Sequence, residues 1–232
     1  MRHPASLAWL AVLALGVAWC NAAAAPREGA REDAAQKDVA QKDAAIVEDV
    51  SPGVGDLRRF DLIAAGRAAE LGRDGRIVLG YLQSCWQDSI AGGRAVVEPL
   101  KSRVEDGALT RRRVECDAAG LARMNSAGLA ARGGGSLAGP ASPEPDVNLY
   151  GLSPIVLAER PGLLVIERID TAAPQLKFSI AEKGVDLRHK DLALAPSGLY
   201  RFTFGQAAIV VRIDSLAEPG DAPAVGRLVI FR

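Results

Sequence analysis

From Phe60 onward the chain is written in short apolar runs broken by glycine, and this rhythm constrains the fold more than any other feature. Runs of about four to eight residues bounded by turn-formers are too short for the continuous stripe of an amphipathic helix, but they match the length of a strand. A first set of predicted strands covers Phe60 to Ile63, Arg76 to Leu82, Trp86 to Ile90, Arg94 to Glu98 and Ala108 to Cys116. Between them stand Gly72-Arg73-Asp74-Gly75, Ala91-Gly92-Gly93 and Glu105-Asp106-Gly107, which tolerate positive φ and so predict tight hairpins. A second set covers Pro154 to Ala158, Leu163 to Ile169, Leu176 to Ile180, Leu199 to Phe204, Ala208 to Ile213 and Arg227 to Phe231. Tyr200, Phe202 and Phe204 alternate onto one face, as do Ile209, Val211 and Ile213, with Gly205-Gln206 as the hairpin between them.

The prediction is therefore an all-β chain with two small antiparallel domains. Residues 55–120 form a disulfide-containing meander and 148–232 a sandwich of immunoglobulin-like shape, joined by an Ala/Gly/Pro-rich linker over 121–147. That linker has room for one short helix near Leu121 to Ala131.

The first 24 residues read as a signal peptide: Arg2 and His3, an apolar run from Leu7 to Trp19, then the small residues Asn21 to Ala25. The run is too short for a comfortable membrane span of about 20 residues. Lipid attachment at Cys20 is the rival, disfavoured because bulky Trp19 precedes the thiol. The expected location is periplasmic or secreted. Residues 25–54 then read as a disordered linker, because the units Ala35-Gln36-Lys37-Asp38 and Ala40-Gln41-Lys42-Asp43 carry almost no large apolar side chains.

Beyond the leader only Cys85 and Cys116 remain, and in an oxidising compartment they are expected to pair. Charge is balanced, 28 basic against 28 acidic residues, so no global field attracts nucleic acid or anionic lipid. No Gly-x-Ser-x-Gly, no serine with lysine three residues on, and no phosphate-binding glycine loop is present. His189 beside Asp186 and Asp191 is the sole general-base candidate, and its polar surroundings predict a solvated loop. The reading is of a chain without catalytic residues, metal ligands or cofactor. Two features suit binding: the run Arg111, Arg112 and Arg113 on a predicted strand, and Trp86, whose other expected role is packing over the disulfide. Alternation places Arg111 and Arg113 on one face and Arg112 on the other. Three charges on a strand also serve as a solvated edge that discourages aggregation.

Three stretches, Phe60-Asp61-Leu62-Ile63-Ala64-Ala65-Gly66, Gly75-Arg76-Ile77-Val78-Leu79-Gly80-Tyr81 and Ser84-Cys85-Trp86-Gln87-Asp88-Ser89-Ile90-Ala91-Gly92-Gly93, are followed by Val114-Glu115-Cys116-Asp117. Together they resemble a group of exported bacterial envelope proteins that are in turn similar to the periplasmic FecR-type β domain. The resemblance covers about a quarter of the chain and implies a β module for sensing or assembly, with no catalytic residues to carry over; the cysteine pair is not required in FecR regulators. The expected function is a non-enzymatic periplasmic module that binds an envelope protein or cell-wall polymer. The alternative is a FecR-like regulatory or accessory subunit of a membrane complex.

Overall fold

The computed structural model describes residues 42–126, 143–220 and 222–232. The chain is mostly strand, as the glycine-punctuated pattern predicts. Its first sheet contains β1 (Asp43–Val50), β2 (Leu62–Ala64), β3 (Ala68–Tyr81), β4 (Trp86–Val97), β5 (Ser102–Glu105) and β6 (Ala108–Arg113). All its pairings are antiparallel: the order is β2-β1-β3-β4-β5, with β6 on the same side of β4 as β5 but further along it.

The largest departure from the sequence reading is β1, which falls inside the stretch 25–54 assigned to a disordered linker. Ala44, Ala45, Ile46 and Val47 are buried, and β1 sits between β2 and β3. An apolar run so short is stabilised by its neighbours on both sides and is not visible as a long periodic segment. The rest of that predicted linker, up to residue 41, lies outside the described residues.

The three glycine clusters are the second correction. They are not hairpin turns: the first two lie inside β3 and β4, and Glu105-Asp106-Gly107 joins β5 to β6, both of which pair with β4. Gly72 pairs with Gly93, Ala91 with Arg76 and Ala108, and Arg94 with Glu105, so the irregularities lie opposite one another across the sheet. Gly92 and Gly93 hold φ of +71° and +69°, and a Cβ on Gly93 would stand 2.1 Å from the Glu105 carbonyl oxygen. Such aligned bulges sharpen the twist and fold the sheet over. Residues before and after the bend then share one core: Ala69, Leu71, Ile77, Leu79, Tyr81, Ile90, Ala95 and Val97, with Val47 and Ile63. Gly93→Ala is expected to cost about 2 kcal/mol or more, from positive φ and the backbone clash, and urea denaturation measures it.

The true β3–β4 turn is Leu82 to Cys85, where the Cys85 amide donates to the Tyr81 carbonyl and Cys85 itself adopts φ 53°. Helix α1 (Ala118–Asn125) follows β6 and is capped by the Asp117 carboxylate, which accepts from the Gly120 amide. Its buried residues Leu121 and Met124 are three apart on one face and join the second core.

That core lies between a five-stranded sheet in the order β10-β9-β12-β13-β7 and a three-stranded sheet in the order β11-β8-β14. The strands are β7 (Val147–Leu149), β8 (Ile155–Ala158), β9 (Gly162–Arg168), β10 (Leu176–Ile180), β11 (Gly184–Asp186), β12 (Leu199–Phe204), β13 (Ala207–Ile213) and β14 (Leu228–Phe231). The predicted alternation of β12 and β13 holds at Tyr200, Phe202, Ile209, Val211 and Ile213, all buried. Two pairings, β7 with β13 and β8 with β14, are parallel, a feature no local signal indicates. β7 and β11, three residues each, were not among the predicted strands.

The described residues fall in one compact unit. Ile46 on β1 and Leu82 in the β3–β4 turn are buried in the second core. Glu48, also on β1, accepts from the Val225 amide at 3.2 Å, and Asn125 on α1 donates to the Asp43 carbonyl at 2.8 Å.

Candidate functional site

Cys85 and Cys116 form a disulfide with Cα atoms 5.6 Å apart. It ties the β3–β4 turn to the segment leaving β6, and the Val114 amide adds a hydrogen bond to the Cys85 carbonyl at 2.9 Å. Trp86 and Arg113 are therefore paired across β4 and β6 at the cross-linked end of the sheet. The four residues singled out from the sequence all lie on or beside this pairing, but in different environments.

Arg111 is structural. Its Nε donates to Asp88 Oδ1 at 2.6 Å, and its Nη2 donates to Asp88 Oδ2 at 2.9 Å and to the Ser102 carbonyl at 2.8 Å. Asp88 is fully buried and also accepts from the Ser102 amide at 2.7 Å, while the Ser102 and Tyr81 hydroxyls lie 2.8 Å apart. Burial is the main reason that the Tyr81 phenol titrates far above its ordinary value, with the Asp88 charge adding to it. The sheet's fold-over brings these groups from β3, β4, β5 and β6 together. Sequence reasoning missed Asp88, although a carboxylate two residues from Trp86 and Ile90 on a strand points to the same face as those core residues.

Arg112 and Arg113 are different. Arg112 Nε donates to Gln87 Oε1 at 2.5 Å on the opposite face of the sheet, and Gln87 in turn donates to Glu48. Arg113 lies over the Trp86 indole, its guanidinium carbon 5.7 Å from the ring centroid. Neither forms an ion pair among the described residues, and both are exposed. The predicted alternation thus holds, with Arg111 and Arg113 on one face and Arg112 on the other. Trp86 is half-buried and packs against the core of the first sheet.

Two exposed leucines lie nearby: Leu109 on β6, and Leu100, whose carbonyl accepts from the Ser84 hydroxyl at 2.5 Å. No residue of β6 is fully buried, and among the described residues its backbone pairs with β4 alone. Arg111→Ala, which would strand the Asp88 carboxylate, is expected to cost about 3–5 kcal/mol. Arg113→Ala is expected to stay within about 1 kcal/mol. Parallel urea unfolding curves separate the two, and equal costs would show that Arg111 is no more structural than its neighbour.

His189 is exposed in the 3-10 turn Leu187–Lys190, while the neighbouring Asp186 is directed into a buried pair with Arg227. An open groove of about 510 Å³ is lined by Glu167, Arg168, Asp170, Thr171 and Arg201, among others. Its charges are spent within it: Arg168 Nε lies 2.7 Å from Asp170 and Arg201 Nη1 lies 3.3 Å from Glu167. Among the described residues every buried side-chain nitrogen and oxygen has a hydrogen-bond partner. Comparisons with protein-family models, curated proteins and solved structures returned no match.

Proposed function

We propose that this chain is an exported, non-enzymatic binding module that holds an acidic envelope partner at the Trp86–Arg113 end of its first sheet. The observation that carries this reading is the unspent charge of Arg112 and Arg113 beside a half-buried indole, on a strand whose other edge has no strand partner among the described residues. The disulfide holds that end of the sheet in one geometry, so less ordering entropy is lost when a partner docks. A cross-link of this kind is compatible with an oxidising compartment, and no described helix is long and apolar enough to cross a membrane. The non-enzymatic part of the reading rests on where the buried carboxylates are committed. Asp88 is held by Arg111 and Asp186 by Arg227, while Glu48 accepts from Gln87 and the Val225 amide.

The test is titration of the full chain with poly-glutamate, an anionic uronic-acid polysaccharide and a neutral glucan. Binding to an acidic polymer is expected, weakened by added salt and reduced about tenfold or more in the double variant Arg112→Glu with Arg113→Glu. Trp86→Ala is expected to weaken it as well. Equal affinity for the neutral glucan, or indifference to the double variant, would overturn the reading.

A further inference from the structure

The edge of β6 away from β4, which has no strand partner among the described residues, sets a stricter condition on the partner, and the inference drawn from it rests on the binding-module reading above. We infer that β6 recruits an extended acidic peptide segment as an additional antiparallel strand, read by two adjacent carboxylates followed three residues later by an apolar side chain.

The geometry supplies each part of this pattern. β6 is paired along its whole length with β4, from Trp86 with Arg113 to Ala91 with Ala108, so on its other edge every second residue directs its backbone donor and acceptor outward. Main-chain hydrogen bonds to such an edge give affinity irrespective of sequence, and side chains select the partner. Arg112 and Arg113 are consecutive and therefore point to opposite faces. An added strand meets both only if it carries neighbouring carboxylates, one on each face. Arg111 makes no such demand because Asp88 already takes two of its donors. Leu109, 38% exposed on the face of Arg111 and Arg113, lies opposite the position three residues beyond the second carboxylate in an antiparallel partner.

The same arginines exclude another occupant. Antiparallel addition of a second copy through β6 brings the arginine run of one strand against that of the other or leaves it unpaired. Like charges opposed across a ladder are destabilising. The edge is therefore closed to itself and open to acid, which is selection by repulsion as well as attraction.

The test uses the full chain and a short synthetic peptide with two adjacent glutamates and a valine three positions after the second. Binding is expected, with slowed amide exchange across residues 102–116. The affinity should fall about tenfold or more when a neutral residue separates the glutamates, when alternate peptide amides are N-methylated, or in the Arg112→Glu with Arg113→Glu variant. Equal binding of the N-methylated peptide, or protection confined to other strands, overturns strand addition while leaving the acidic-partner reading intact if poly-glutamate still binds. Failure of the peptide and of both acidic polymers overturns the two together. A response to the uronic-acid polymer but not to the peptide assigns the arginines to a polysaccharide and sinks the peptide inference alone.

Discussion

Asp186→Ala lowers the unfolding free energy by about 3–5 kcal/mol, an expected result of leaving a buried guanidinium without its counter-charge. The Arg227 side chain is 2% exposed; its Nη1 lies 3.1 Å from Asp186 Oδ1 and its Nε donates to the Ala222 carbonyl at 2.9 Å. Asp186 also accepts from the Arg188 amide at 3.1 Å, and Arg59, from the loop before β2, approaches it at 3.9 Å. One carboxylate thus anchors a 3-10 turn, the start of β14 and a loop of the first sheet. Urea unfolding at neutral pH measures the loss, and a change below about 1 kcal/mol would show that water or a neighbour compensates. The double variant Asp186→Leu with Arg227→Met removes both charges together and is expected to recover most of the stability.

The same pair sets an acid dependence. Burial by itself would raise the Asp186 pKa, but the hydrogen bond and charge of Arg227, with the Arg188 amide, outweigh it and hold the carboxyl below its ordinary value. A carboxylate whose folded pKa is depressed contributes stability that is present above its unfolded value, about 3.9, and is lost as pH falls through the folded one. Unfolding curves collected from pH 6 downward should therefore show a loss below about pH 4 in the native chain. The Asp186→Leu with Arg227→Met variant should lack that component.

The second large effect is at the disulfide. Cys85 and Cys116 are 31 residues apart, and opening the loop they close is expected to cost about 3–4 kcal/mol in the chain-entropy account. For a domain of this size that corresponds to a fall of roughly 10 °C in Tm. Cys85→Ser, Cys116→Ser and treatment with reductant should give the same shift. A native chain whose Tm is indifferent to reductant would remove the cross-link from the account of stability. Because Trp86 follows Cys85 directly and Arg113 precedes Cys116 by three residues, acidic-polymer affinity should fall alongside the Tm.

What was legible in the sequence follows from the range over which each signal acts. Period-two alternation is a local property, so Tyr200, Phe202, Ile209 and Val211 could be assigned to the core from their order alone. The opposite faces of Arg112 and Arg113 could be assigned the same way. The two cysteines beyond the expected leader permit only one pairing with each other, and the structure has it. The sequence by itself thus determined the all-β class, the faces of the strands and the Cys85–Cys116 disulfide.

Tertiary structure decided what pairs with what. Gly72, Gly93 and Gly107 look like hairpin residues one at a time, and only the register between β3, β4 and β6 makes them a shared bend. Asp43–Val50 offers too few apolar residues to stand out, yet two neighbouring strands satisfy its backbone and bury Ile46 and Val47. Arg111, Arg112 and Arg113 are chemically identical in the chain. The first is fixed because a buried carboxylate lies opposite it on β4, and the other two keep their charge because Gln87 and Trp86 lie opposite them. That difference arises from residues about 25 positions distant, brought to hydrogen-bonding range by the ladder.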